Sequence, residues 1–262
     1  MRSFLFRLKS LVNYWLDAVE AHSLHSPFLF NFYTKVLKQK LSHPHFVLLG
    51  NIRRKLQRDA RIILVDDLGA GSARLKKNER RISDIASITA SPEKYSMLYA
   101  KIILHYKYKH VVELGTSIGI NAMYLAMAHD SVQVKTYEGS HEVARIARQL
   151  FQENQMTNIQ IIEGNIDLSL PKYLSTSQPI DFAFIDANHR LEPTIRYTEL
   201  LMKKVHSNSV IVIDDIHYSS EMEEAWRAIQ RHELVYTTID LYRCGLVFFN
   251  PALSKQNVVL QF

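Results

Sequence analysis

Residues 111–119 read Val-Val-Glu-Leu-Gly-Thr-Ser-Ile-Gly, an apolar run that ends on a carboxylate and passes into a turn with glycines at 115 and 119. An apolar helical stretch follows from about Asn121. A strand that runs through such a turn into a helix brings backbone N–H groups and a helix N-terminus against a bound ligand, as nucleotide-type cofactors require. Glu113, Gly115, Thr116, Ser117 and Gly119 are the candidate contacts. The spacing is not G-x-G-x-x-G, which makes a nicotinamide site the weaker reading. The next apolar run, Val-Gln-Val-Lys-Thr-Tyr-Glu, ends in Glu138. A carboxylate about 20 residues beyond the turn can accept both hydroxyls of a ribose.

The elements that must position these residues follow one rhythm. Short runs rich in Val and Ile at 110–114, 132–137, 159–163, 180–185 and 209–213 suit strands covered on both faces. Helical spacing fills 121–129, 141–154, 192–205 and 219–232. This alternation predicts an α/β fold with a doubly wound, mostly parallel sheet. The rhythm breaks at the end, where Leu234–Tyr242 and Leu246–Asn250 are joined only by Arg-Cys-Gly, a link that permits an antiparallel hairpin and nothing else. Residues 1–88 read as a helical and basic extension and 89–262 as the main domain. In the extension, Phe4, Leu8, Leu11, Val12, Trp15, Leu16 and Val19 keep a 3.6-residue period and predict one buried stripe, packed on the main domain or on a second copy in a homodimer. Ser26-Pro27 predicts an N-cap and first turn for a helix through Phe28, Phe32, Val36 and Leu37.

Composition narrows the setting. With 262 residues, 47% of them hydrophobic, the chain can bury a sizeable core. Cys244 is its one cysteine, so no internal disulfide forms and a reducing, cytoplasmic setting is expected. No apolar run approaches the roughly 20 residues of a membrane-spanning helix, and the start has no signal-peptide pattern. The net charge of +6 conceals an asymmetry. Residues 1–110 carry 20 Lys and Arg against 8 Asp and Glu, and the remainder 12 against 18. A basic N-terminal part suits RNA, an anionic small substrate or a membrane surface, and equally a solvated helix face. A second glycine turn, Ile62–Ser72, lacks the apolar helix and acid-ended strand of a cofactor site. Its glycines 69 and 71, with Arg74, Lys76, Lys77, Arg80 and Arg81, form instead a candidate substrate-side anion loop.

From about residue 89 to 250 the chain resembles the catechol and caffeoyl-CoA type O-methyltransferases of the class I S-adenosylmethionine (SAM) dependent family. The turn Glu113–Gly119, with Ser117 in place of the middle glycine, carries the resemblance, as does Thr89–Leu98, similar to that family's lid helix. The stretch Ala-His-Ser-Leu-His-Ser-Pro-Phe and the basic turn resemble a bacterial subgroup of uncharacterised substrate. The resemblance implies a Rossmann-like, seven-stranded sheet and SAM as cofactor, with Glu138 on the ribose and Asn165 and Ile166 beside the adenine. It also implies that Asp186, in Phe-Ile-Asp-Ala-Asn-His, contacts the methionine part of SAM and binds metal, with Asp214 and Asp215 as further ligands. Asp215 stands where the family has asparagine, and His189 where it has a lysine near the nucleophile.

Two chemistries follow for a hydroxyl acceptor, which is a poor nucleophile until deprotonated. Three carboxylates could hold Mg²⁺ or another hard divalent cation that favours the alkoxide. Alternatively His189 or His217 takes the proton directly. The expected function is O-methylation of a small hydroxylated, anionic or neutral substrate. The alternatives are a tRNA- or RNA-modifying methyltransferase and a catalytically inactive SAM-binding protein.

Overall fold

The computed structural model describes residues 2–40, 44–65, 79–88 and 90–262. In chain order the elements begin with helices α1 (Arg2–Asp17), α2 (Pro27–Phe32) and α3 (Pro44–Leu56), strands β1 (Ile62–Leu64) and β2 (Glu79–Arg81), and helices α4 (Ile82–Ile88) and α5 (Glu93–Tyr106). The alternating part runs β3 (His110–Leu114), α6 (Ile120–Ala126), β4 (Gln133–Glu138), α7 (His141–Glu153), β5 (Ile159–Glu163) and α8 (Ile166–Thr176). It continues through β6 (Ile180–Ile185), α9 (Leu191–Met202), β7 (Val205–Asp214) and α10 (Ser220–Gln230), and closes with β8 (Thr237–Asp240), β9 (Cys244–Phe248) and β10 (Gln256–Val259). The chain divides into two compact units, residues 1–39 with 177–262, and residues 40–176.

In the second unit β3, β4 and β5 lie in that order, all parallel, with Glu113 opposite Thr136 and Glu138 opposite Glu163. Val111, Val112, Glu113 and Leu114 are all buried, which is why this strand reads as a continuous run rather than an alternating one. A separate two-stranded antiparallel pair, β1 with β2, joins Ile62 to Arg81. Of the second glycine turn, Arg80 and Arg81 fall in β2; Gly69, Gly71, Arg74, Lys76 and Lys77 lie outside the described residues, as does Thr89.

In the first unit the strand order is β10-β8-β9-β7-β6. Here β6 and β7 are parallel, and β9 runs antiparallel to both β7 and β8, the expected hairpin. Among the described residues the strands of the mostly parallel sheet therefore number eight rather than seven, the addition being β10, parallel to β8. Helix α8 is likewise absent from the sequence expectation. Pro171 stands inside it, past the first turn, and interrupts the helical reading because proline has no backbone N–H to donate.

Of the two expectations for the N-terminal helix, packing on the main domain is not met by its apolar stripe: within the chain Leu8, Leu11, Val12 and Leu16 are exposed and Trp15 is 73% exposed. The opposite, polar face makes the contacts. Ser10 donates to Glu223 Oε1 (2.6 Å), Tyr14 donates to the Leu260 carbonyl (2.7 Å), and the Arg7 guanidinium stands 4.2 Å from the Tyr218 ring centre. Helix α2 begins as expected, with Ser26 Oγ accepting from Leu29 N–H, and a π-helical turn at Tyr33–Leu37 continues it, burying Phe32, Val36 and Leu37. Among the described residues no helix is long and apolar enough to cross a membrane.

Candidate active site

The turn after β3 takes its shape from three left-handed residues, Gly115 (φ 105°), Ser117 (φ 49°) and Gly119 (φ 87°). At Gly119 a Cβ would lie 2.7 Å from the Phe151 ring, so this glycine serves both the turn and the seating of α6 against α7. Glu113 is fully buried. Its carboxylate accepts from Asn121 Nδ2 (2.8 Å) and from Thr136 Oγ1 (2.5 Å). Thr136 has a single hydroxyl proton, so its 2.6 Å contact with Thr116 Oγ1 must be donated by Thr116. Glu113 and Thr116 thereby clamp the turn to β4 and α6 from behind.

Glu138, at the end of β4, is bonded directly to the backbone of that turn. Its Oε2 accepts from Ser117 N–H (2.8 Å) and its Oε1 from Ser140 N–H (2.9 Å). A carboxylate has about four acceptor sites, so two backbone bonds fix its orientation without exhausting it for ribose hydroxyls. Beyond β5, Gly164 adopts φ 116°, and a Cβ there would meet nothing within 4 Å. Asn165 Oδ1 caps the next helix by accepting from Asp167 N–H (2.8 Å), and Ile166 opens that helix. Among the described residues the buried Asn121 Oδ1 has no hydrogen-bond partner. An anchored ribose acceptor, open space beside a left-handed glycine and an orphaned amide oxygen fit a nucleoside-bearing cofactor.

In the first unit, the carboxyl ends of β6 and β7 carry a second cluster. After β6 the chain passes Asp186 and turns through Asn188 (φ 70°) and His189 (φ 29°), and after β7 it turns through Asp215 (φ 54°). Left-handed backbone costs a non-glycine residue about 1 kcal/mol or more, and such strain concentrates at functional sites. The turn brings His189 Nε2 to 3.3 Å from Asp186 Oδ1. Asp214 is fully buried, and the guanidinium of Arg243, from the β8–β9 link, donates to its Oδ2 through Nη2 (2.8 Å) and Nε (3.2 Å) and stands 3.7 Å from Asp215.

The electrostatics are those of two cations among three acids. Burial pulls the His189 pKa down, but the hydrogen bond and charge of Asp186, with the charges of Asp215 and Asp214, outweigh it and raise it to about 9. Burial pushes Asp214 well above the usual carboxylate range, helped by Asp186 and Asp215 and opposed by Arg243. Asp186 is also raised, by burial first, against the hydrogen bond to His189.

Asp186, Asp214 and Asp215 lie close enough to raise one another's pKa values, while among the described residues no group of three or more His, Cys, Asp or Glu side chains stands ready-made to hold a metal ion. Arg243 supplies the positive charge that three neighbouring carboxylates need. His217 sits between two carboxylates. Its Nδ1 contacts Glu223 (3.0 Å) and its Nε2 contacts Asp240 (2.8 Å), and these bonds raise its pKa despite opposing burial. Sequence reasoning missed Arg243, Glu223 and Asp240. The signal for Arg243 lay in the register of β9 on β7, which sets Cys244 opposite Asp214 and so puts the preceding cation at that strand end.

Residues 112–216 match the family described as a methyltransferase domain. Among solved structures the chain is similar to the S-adenosylhomocysteine-bound methyltransferase PaMTH1 of Podospora anserina, at 12% identity and TM-score 0.60 over 87% of this chain and 97% of that one. It is similar also to the O-methyltransferase of Bacillus cereus in complex with S-adenosylhomocysteine (16%, TM-score 0.56, 84% and 97%). A third is the O-methyltransferase TomG of Streptomyces achromogenes, involved in tomaymycin synthesis and solved with SAM (14%, TM-score 0.57, 84% and 95%). No curated protein matches the chain. Residues 112–216 thus match a methyltransferase domain, and the chain shares the fold of these SAM- and S-adenosylhomocysteine-bound structures.

Proposed function

We propose that the protein transfers the methyl group of SAM to a hydroxyl oxygen of a small substrate, with no metal ion in the chemical step. The observation that carries this reading is the Asp186–His189 pair beside Arg243, held by left-handed backbone at two strand ends. Glu138 would hold the ribose, with Gly115, Ser117 and the loop at Gly164 around it. SAM, when bound, supplies a methyl group on a sulfonium, open to in-line attack.

The residues of the chain then have to unmask the nucleophile and align it. Since Nε2 of His189 faces Asp186, Nδ1 is the atom that takes the acceptor's proton. With its pKa near 9, the imidazole is neutral in roughly one molecule in a hundred at pH 7. Its charged form still favours a deprotonated oxygen nearby, as does Arg243, which is the work expected of a divalent ion in the metal reading. Structures of fold-related O-methyltransferases support oxygen as the acceptor atom.

The test is transfer of labelled methyl from SAM to a panel of catechols, phenolic acids and hydroxy acids, with and without excess chelator. Turnover should survive chelation and fall by about 10²-fold in His189→Gln. Turnover that appears only with added Mg²⁺ would return Asp186, Asp214 and Asp215 to the role of metal ligands.

A further inference from the structure

Within residues 40–176 a cavity of about 530 Å³ opens between α3, the end of α4 and the start of α5. Phe46, Gly50 and Arg53 line it from α3, and Pro92 and Glu93 from α5. Arg53 is the unusual member. It is only 7% exposed, yet among the described residues no carboxylate forms an ion pair with it. Its Nη1 donates to the Ser91 carbonyl (2.8 Å) and its Nη2 to Ser96 Oγ (3.4 Å), while its buried Nε has no partner. A buried guanidinium with no carboxylate in ion-pair contact is costly, and an anion that reaches its remaining Nη protons from the cavity would offset that cost.

The wall opposite reinforces a small-molecule reading. The Glu93 carboxylate is held by the Tyr124 hydroxyl (2.9 Å to Oε1), and Gly50 leaves it room, because a Cβ there would stand 3.0 Å from the same oxygen. The guanidinium carbon of Arg53 lies 5.7 Å from the Tyr124 ring centre, which keeps the cation in place over an aromatic face. The cavity thus offers one charge-assisted donor group and one carboxylate acceptor, a pair that suits an acid also bearing a hydroxyl or ammonium.

We propose that this cavity binds the carboxylate of a small molecule, clamped by Arg53. The carboxylate is either the amino-acid end of the cofactor or that of an acidic methyl acceptor; both sources rest on the methyltransferase reading, while the anion site itself does not.

Two matched pairs of probes separate the sources by calorimetric titration of the full chain: S-adenosylhomocysteine against 5′-methylthioadenosine, which lacks the amino-acid end, and 3,4-dihydroxybenzoate against catechol. In one pair the carboxylate-bearing member should bind tenfold or more tightly than its neutral twin. Arg53→Met should erase that difference while leaving the neutral twin unchanged, and Arg53→Lys should retain part of it. A difference confined to the adenosyl pair assigns the site to the cofactor, and one confined to the phenolic pair assigns it to the acceptor. Should Arg53→Met not fold, a reduced difference in Arg53→Lys carries the same information. Differences that are absent in the wild type, or that survive both substitutions, overturn the proposal. Failure of the wild type to bind either adenosyl probe counts against the methyltransferase reading and leaves the phenolic pair to judge Arg53.

Discussion

Asp186→Asn isolates the proposed base from its partner with almost no change in shape. In the wild type the hydrogen bond and charge of Asp186 are the foremost influences that lift His189 to about 9 against the effect of burial. The sign is then fixed: the proton-accepting form grows as pH rises, so kcat/KM should climb through neutrality and level off above about 9. In the asparagine variant burial still opposes the imidazolium, and only Asp215 and Asp214 remain to favour it. An opposite charge in contact is worth about 1–3 pKa units, so the inflection should move down by about that amount. A less basic imidazole without an orienting partner also transfers protons less well, so the plateau should fall even as the curve shifts to lower pH. Methyl transfer measured from pH 5.5 to 10 at saturating SAM would show both effects. An inflection that stays in place refutes the argument, because it would then belong to the acceptor's own hydroxyl, and a His189→Gln variant with the wild-type curve would refute it independently.

Three further outcomes follow from the geometry. Glu138→Ala removes the ribose acceptor and strands two backbone donors, and should weaken SAM binding by about 2–4 kcal/mol in a calorimetric titration. Gly245→Ala would set a Cβ 2.4 Å from the buried Trp226 ring, and should cost about 1–3 kcal/mol, read as a lower Tm, with SAM affinity intact. His217 has a raised folded-state pKa through Asp240 and Glu223, so its contribution is complete below about 6.5 and is lost as pH rises through the folded value. His217→Gln should accordingly lose more stability at pH 6 than at pH 9 in urea unfolding, and an equal loss at both would remove the linkage.

The fold was legible where burial is local and continuous. Strands β3 and β6 fall where their apolar runs fall because both faces are covered, and the hairpin follows from a link too short for any crossover. Legibility ended where the pattern depends on a distant partner. The residues Gln256–Val259 offer only two valines, too short an apolar run to read as a strand, and form one by pairing with Thr237–Asp240. For α1 the sequence showed an amphipathic helix correctly, but not which face the rest of the chain would take. The contacts go to Arg7, Ser10 and Tyr14 through Tyr218, Glu223 and Leu260, more than 200 residues away.

The site divides in the same manner. Glu113, the left-handed turn and Glu138 are separated by few residues and by one parallel crossover, so spacing alone could set them together, although it could not show that Glu113 faces inward as a brace. The acid cluster states a need rather than an answer: Asp186, Asp214 and Asp215 repel one another unless protons or a cation intervene. A metal ion and a guanidinium meet that need equally well on paper. The proposed reading takes the guanidinium because the register of β9 on β7, which no local pattern encodes, delivers Arg243 to Asp214 while the Asp186 turn brings His189 alongside. On that proposal the same two charges steady an acceptor oxygen as it loses its proton. Burial, which raises Asp214 and holds Arg243 against it, makes this arrangement a fixed part of the fold rather than a response to the substrate.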